Sequence, residues 1–162
     1  MTVEFVTFTQ AAERIPDNAV VTVSASSGLG CPDRMLRAIG ENFEHVGHPC
    51  NLTTLHPITA GDVYGIKGVD HIAKDGLLSR IIAGSYPSGP SSKPMPEIWR
   101  MITEDRVQAY NVPSGILFDM HREVATRRPG VLTKIGLDTF VDPHHEGSAM
   151  NASAAKQPIV ER

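Results

Sequence analysis

The order of apolar and polar positions divides the chain into short β-branched runs, small-residue loops and amphipathic segments. Three times an apolar run leads into a Gly/Ser/Pro loop and then into a helical pattern. The first comprises Ala19–Ser24, the loop Ala25–Gly30 and a helix from Pro32. The second comprises Ser79–Gly84, Ser85–Ser92 and a helix near Pro96. The third comprises Val107–Asn111, Val112–Gly115 and a helix from Ile116. Ala19-Val20-Val21-Thr22-Val23 is β-branched and bounded by turn residues, so it reads as a buried strand. After Pro32, whose missing N–H does no harm at a helix start, Met35, Leu36, Ile39 and Phe43 share one face. Gly47 can close that helix in a left-handed conformation. Leu52–His56 reads as a further strand. Thr9 can cap a short helix through Ile15, and Pro16-Asp17-Asn18 makes a turn. Residues 57–76 are less regular, with a short helix at Val69–Lys74. A weaker strand falls at Thr139-Phe140-Val141, and Ile159-Val160-Glu161-Arg162 reads as the start of another.

Units of this kind predict an α/β fold: an open, mostly parallel sheet flanked by helices, with the loops emerging at the carboxyl ends of the strands. That edge is where such folds bind ligands. Small residues let a ligand approach backbone N–H groups, and helix N-termini favour negative charge. Ser24-Ala25-Ser26-Ser27-Gly28-Leu29-Gly30 is the best functional candidate, since its amides can face an anion or a developing oxyanion. The plainer reading of the same loop is a tight turn with cap residues.

Composition narrows the classes. The 162 residues suffice for one domain with a core, and 41% hydrophobic with 20% charged residues is ordinary for a globular protein. A formal net charge of −3 argues against non-specific nucleic-acid binding. No apolar run approaches the roughly 18 residues of a membrane span. Met1–Gln10 carries Glu4 and no basic flank, unlike a secretory signal. The two cysteines, Cys31 and Cys50, point to a reducing cytoplasm rather than a disulfide scaffold.

Several chemistries fit poorly. Gly28-Leu29-Gly30 supplies two glycines of a dinucleotide fingerprint, but Asp33 stands where the third belongs and the second strand ends Leu55-His56-Pro57 without the expected acid. No Gly-x-Ser-x-Gly elbow is present. His45, His48 and Cys50 lack a fourth zinc ligand at sensible spacing. His144-His145 reads as a solvated loop and His121 as a helix residue. Asp17, Asp33, Asp62, Asp70 and Asp75 fall at turns or helix starts, where capping explains them. Glu97 with Arg100 and Glu123 with Arg127 read as ordinary side-chain pairs, and Trp99 with Ile98 and Ile102 as a core face.

Four stretches together resemble the N-terminal part of a family I CoA-transferase, of the acyl-CoA:acetate/3-ketoacid type. They are Ser24–Gly30 with Cys31-Pro32-Asp33; Ile81-Ile82-Ala83-Gly84-Ser85; Tyr110-Asn111-Val112-Pro113-Ser114-Gly115; and Gly136-Leu137-Asp138-Thr139-Phe140-Val141-Asp142-Pro143 with Gly147 and Met150-Asn151. The resemblance implies ping-pong chemistry. A glutamate carboxylate attacks an acyl-CoA, a glutamyl-CoA thioester forms, and a second carboxylic acid takes the CoA. It implies an oxyanion or substrate loop at Ser26, Ser27 and Gly28, and substrate contacts at Gly84, Ser85, Asn111, Pro113, Ser114 and Gly115. Coenzyme A enters as a thioester substrate, with no permanently bound cofactor and no metal.

The departures matter too. Many relatives carry a Gly-Gly-Phe-type loop where Ser26-Ser27-Gly28 stands, and Gln where Ser114 stands. None of the glutamates here sits in the glutamate-rich Gly motif that bears the nucleophile. Residues 1–162 are therefore expected to be a truncated N-terminal domain, inert alone, whose partner is the C-terminal half of the same enzyme. Apolar surface left bare would favour assembly into a homo-oligomer. Two other readings share the fold class: a sugar-phosphate-binding sensor, and an isomerase with Asp33 or Asp138 as base.

Overall fold

The computed structural model describes residues 3–62, 64–88 and 91–161. Gly89 and Pro90 of the second loop, and Arg162 of the expected final strand, lie outside the described residues. The elements in chain order are α1 (Phe8–Glu13), β1 (Val20–Thr22), α2 (Asp33–Val46), β2 (Leu52–His56), a 3-10 turn (Gly68–His71), β3 (Leu78–Ala83), α3 (Glu97–Thr103), β4 (Gln108–Asn111), α4 (Ser114–Ala125) and α5 (Ala152–Ala155). The strands form one parallel sheet in the order β1-β2-β3-β4. Right-handed crossovers that always step in one direction put their connecting segments on one face. Accordingly α2, the 3-10 turn and α3 all contribute to a single core, through Leu36, Ile39, Val69, Ile98, Met101 and Ile102.

Strand alternation splits the sheet between two cores. Leu52, Ile81, Ala83 and Ala109 face the helical layer just described. Leu55, Ile82 and Tyr110 face the other side, where Ile116 and Leu117 of α4 and Ala154 of α5 cover them. This second cover does not reach β1. Val20 of β1 is 68% exposed, and Phe118, Leu132, Ile135 and Phe140 are exposed as well. Apolar surface is therefore bare on the side opposite the helical layer and along the segment that follows α4.

Local chemistry sets the element ends. Gly47 closes α2 at φ 73° and its N–H donates to the Phe43 carbonyl, as the sequence predicts. The cap of α1 is Thr7 rather than Thr9, because Thr7 and Gln10 form a reciprocal capping box. Pro96 at the start of α3 offers no side-chain cap. Asp70 supplies one from another element, accepting from the Glu97 and Ile98 N–H groups at 2.9 and 3.1 Å. The expected helix at 69–74 is a single 3-10 turn. The third helix starts at Ser114 rather than Ile116.

Thr139-Phe140-Val141 is not a strand. Asp142 draws the segment into turns, accepting from the Asp138 and His144 N–H groups at 3.0 and 2.9 Å. The outer edge of β4 is met instead by residues 148–150, through Asn111 N–H to the Ser148 carbonyl (2.9 Å) and Met150 N–H to the Ala109 carbonyl (2.9 Å). Ile159 packs against the second core, and no strand forms over the described residues 159–161.

One buried side chain runs against the apolar pattern. His56, at the carboxyl end of β2, is 1% exposed, and burial pushes its imidazole down from 6.5 to about 4. The folded chain thus keeps His56 uncharged where an unfolded chain takes up a proton. Stability is full above pH 6.5 and is lost as pH falls from 6.5 toward 4, by up to about 3 kcal/mol. His56→Phe should remove that part of the acid sensitivity. Denaturant midpoints at pH 7 and pH 4.5 for both proteins check this; an unchanged pH dependence would contradict it.

Candidate active-site edge

The loops at the carboxyl ends of the strands are tied to one another in strand order. The Ser27 N–H after β1 donates to the Thr59 carbonyl after β2 at 3.0 Å, and the Gly61 N–H returns to the Ser27 carbonyl at 2.9 Å. The Thr59 N–H donates to Ser85 Oγ after β3 at 3.1 Å. The Gly84 N–H donates to the His56 carbonyl at 2.9 Å. Asn111 Nδ2, at the end of β4, donates to the Ala83 and Gly84 carbonyls at 3.2 Å each. All four strand ends are joined, including the one after β2.

Gly84 is the tightest point of this edge. A Cβ there would run into the Pro57 carbonyl oxygen and Ser114 Oγ. Only glycine lets the β2 loop, the β3 loop and the start of α4 meet. Ser114 and Gly115 form the first turn of α4, after Pro113. Their N–H groups have no acceptor within the helix.

The expected donors separate into two kinds. Ser26 N–H and Leu29 N–H pair across the loop with the Leu29 and Ser26 carbonyls at 3.0 Å each, and Ser27 N–H is taken by Thr59. These amides hold the loop in shape. The Gly28 N–H has no protein acceptor among the described residues. Of the three positions Ser26, Ser27 and Gly28, only Gly28 has an N–H without a protein acceptor among the described residues. Three strand spacings separate the β1 loop from the α4 start, on the order of 14 Å. The two ends of the edge therefore suit different parts of an extended ligand rather than one atom.

Thr59 and Asp62 were not visible as site residues in the sequence, where 57–76 reads only as irregular. Asp62 Oδ1 accepts from the Tyr64, Gly65 and Ile66 N–H groups at 2.9, 3.1 and 3.1 Å. The Gly65, Ile66 and Tyr64 amides hold its carboxyl below the usual carboxylate range. Its other oxygen lies 2.8 Å from where a Gly28 Cβ would stand. An ionised carboxylate thus packs directly on the candidate loop. Burial, with Asp33 and Asp62 nearby, pushes the Cys31 thiol up, which keeps it in the unreactive protonated form.

The other candidates are absorbed by local structure. Asp33 Oδ1 accepts from the Gly68 N–H at 2.8 Å and faces His71 Nε2 at 3.2 Å, so it fastens α2 to the 3-10 turn. Asp138 sits in a turn at φ 59°. His48 bonds Asp17 and the Glu13 carbonyl, and His45 bonds the Glu41 carbonyl. Glu123 pairs with Arg128 rather than Arg127, and Glu97 is closer to Arg106 (2.7 Å) than to Arg100 (3.7 Å). No cluster of three metal-ligating side chains occurs among the described residues. No helix among them is long and apolar enough to cross a membrane.

Comparison with known proteins bears on this edge. The family model described as coenzyme A transferase matches residues 5–161. A caffeate CoA-transferase of Acetobacterium woodii is 33% identical over 148 residues, which cover 91% of this chain and 27% of that protein. The acetate CoA-transferase YdiF of Escherichia coli strain K12 is 29% identical over 143 residues, covering 88% of this chain and 26% of the relative. The chain thus spans about a quarter of the length of the curated relatives it matches. Among solved structures, the apoenzyme of the acyl-CoA transferase YdiF from E. coli O157:H7 superposes with a TM-score of 0.81 at 27% identity, covering 97% of this chain and 30% of that one. A thioester complex of the same transferase with CoA gives 0.79 at 25% identity, covering 96% and 29%.

Gly84→Ala should separate the β2 loop from the start of α4. The expected cost is about 1–3 kcal/mol of stability from overpacking against backbone. Denaturant unfolding measures this, and a variant as stable as the parent would show that the three segments do not meet at Gly84.

Proposed function

The chain belongs to the coenzyme A transferase family, and from that premise we propose that it supplies the thioester-binding edge of an enzyme moving CoA between an acyl-CoA and a short-chain carboxylate. The attacking glutamate belongs to polypeptide outside these residues. In this reading, residues 1–162 are part of the N-terminal domain and a C-terminal half completes the site. The observation that carries the proposal is the joined loop edge, on which the Gly28 N–H has no protein acceptor among the described residues.

The chemistry follows from the family. A glutamate carboxylate oxygen attacks the thioester carbonyl, and the carbonyl electron pair moves onto oxygen. Collapse of that intermediate expels CoA thiolate and leaves a mixed anhydride. The thiolate attacks the glutamyl carbonyl, which releases the first carboxylate and forms glutamyl-CoA. A second carboxylate then repeats the sequence in reverse. Each tetrahedral oxyanion needs N–H donors that are fixed before reaction. Gly28 is one donor this chain offers, on a loop whose neighbouring amides already hold its shape. Gly84, Ser85, Asn111, Pro113, Ser114 and Gly115 shape the far end of the edge, where the extended CoA arm would run.

The solved thioester complex of a similar transferase supports this over the sugar-phosphate reading. The isomerase reading loses one suspect base, because Asp33 already holds two groups.

The test joins these residues with the C-terminal half of the enzyme and supplies acyl-CoA and acetate. The expected result is a protein-bound CoA adduct on a glutamate outside residues 1–162, with none on the 162-residue chain alone. Absence of the adduct from the completed protein, with sugar phosphates raising its melting temperature, would overturn the proposal.

A further inference from the structure

Beneath the loop edge, two polar side chains on β2 lack a protein partner among the described residues. Thr54 is fully buried and its Oγ1 bonds none of them. His56 is 1% exposed, and neither Nδ1 nor Nε2 has a partner. The two residues are one strand period apart and share a face. Their strand partners Ile81 and Ala83 both belong to the core under the helical layer. Leaving these atoms bare would be costly against the small net stability of a domain.

We propose that Thr54 Oγ1 and the His56 ring hold an internal water site of one or two molecules, buried between the sheet and the helical layer. The chemistry of the pair selects water. An uncharged imidazole presents one donor and one acceptor, and a threonine hydroxyl presents both. Water matches either arrangement and is the usual partner of buried polar groups that lack one in the protein. Two residues along an extended strand advance about 6.7 Å, a span that side chains and one or two waters bridge. His56 is the last residue of β2, so the water would support the strand end whose loop joins the β1 and β3 loops.

Thr54→Val in the 162-residue chain separates a hydrated site from a dry one by sign. If water is bound, the valine removes one of its partners, and the Tm should fall by roughly 2–4 °C. If the site is dry, the valine replaces an unsatisfied hydroxyl and the Tm should rise. Water-selective NOE spectra of the unsubstituted chain give an independent readout: long-lived water cross-peaks to the Thr54 and His56 side chains. A raised Tm, or no such cross-peaks, would overturn the proposal.

Discussion

At the carboxyl edge of a parallel sheet every strand ends in backbone groups that have lost their ladder partners, and those groups must find others. Here they find one another. Ser27 bonds Thr59, Thr59 bonds Ser85, Gly84 bonds His56, and Asn111 closes on the Ala83 and Gly84 carbonyls. Each loop is therefore fixed by its neighbour and not by its own turn chemistry alone. Such an edge loses little order when a ligand binds, as preorganised stabilisation of a developing charge requires. The same pairing occupies the Ser26, Ser27 and Thr59 amides, while the Gly28 N–H has no protein acceptor among the described residues.

The architecture was legible where periodicity is strong. Leu52–His56 matched its strand to the residue, and α2 showed its face, its proline start and its glycine stop. The parallel order followed from strands separated by helical segments. The role of the β2 loop was not legible. Pro57, Thr59 and Ala60 carry no phosphate-binding pattern, and their contribution arises from contacts with residues 27 and 85, far away in sequence. Which of Ser26, Ser27 and Gly28 keeps an unpaired N–H was not legible for a related reason. Small-residue loops show where backbone is accessible, but not which N–H groups are already bonded inside the loop.

Tertiary demands overrode local propensity at two other places. Thr139-Phe140-Val141 has the composition of a strand, but Asp142 satisfies the amides of Asp138 and His144 and coils the segment into turns. Asp70 looked like a local cap, yet it caps α3 across the helical layer, because Pro96 cannot. In both cases a buried or half-buried carboxylate decides the path of backbone that propensity leaves open. One face of β1 and the apolar side chains after α4 stay exposed.

Amide hydrogen exchange on the 162-residue chain tests the central claim most directly. If the strand-end loops are locked by bonds between them, the Ser27 and Thr59 amides exchange slowly while the Gly28 amide exchanges at close to the rate of an open chain. Ser27 and Thr59 exchanging as fast as Gly28 would mean that the loops are not joined, and the preformed edge would not exist.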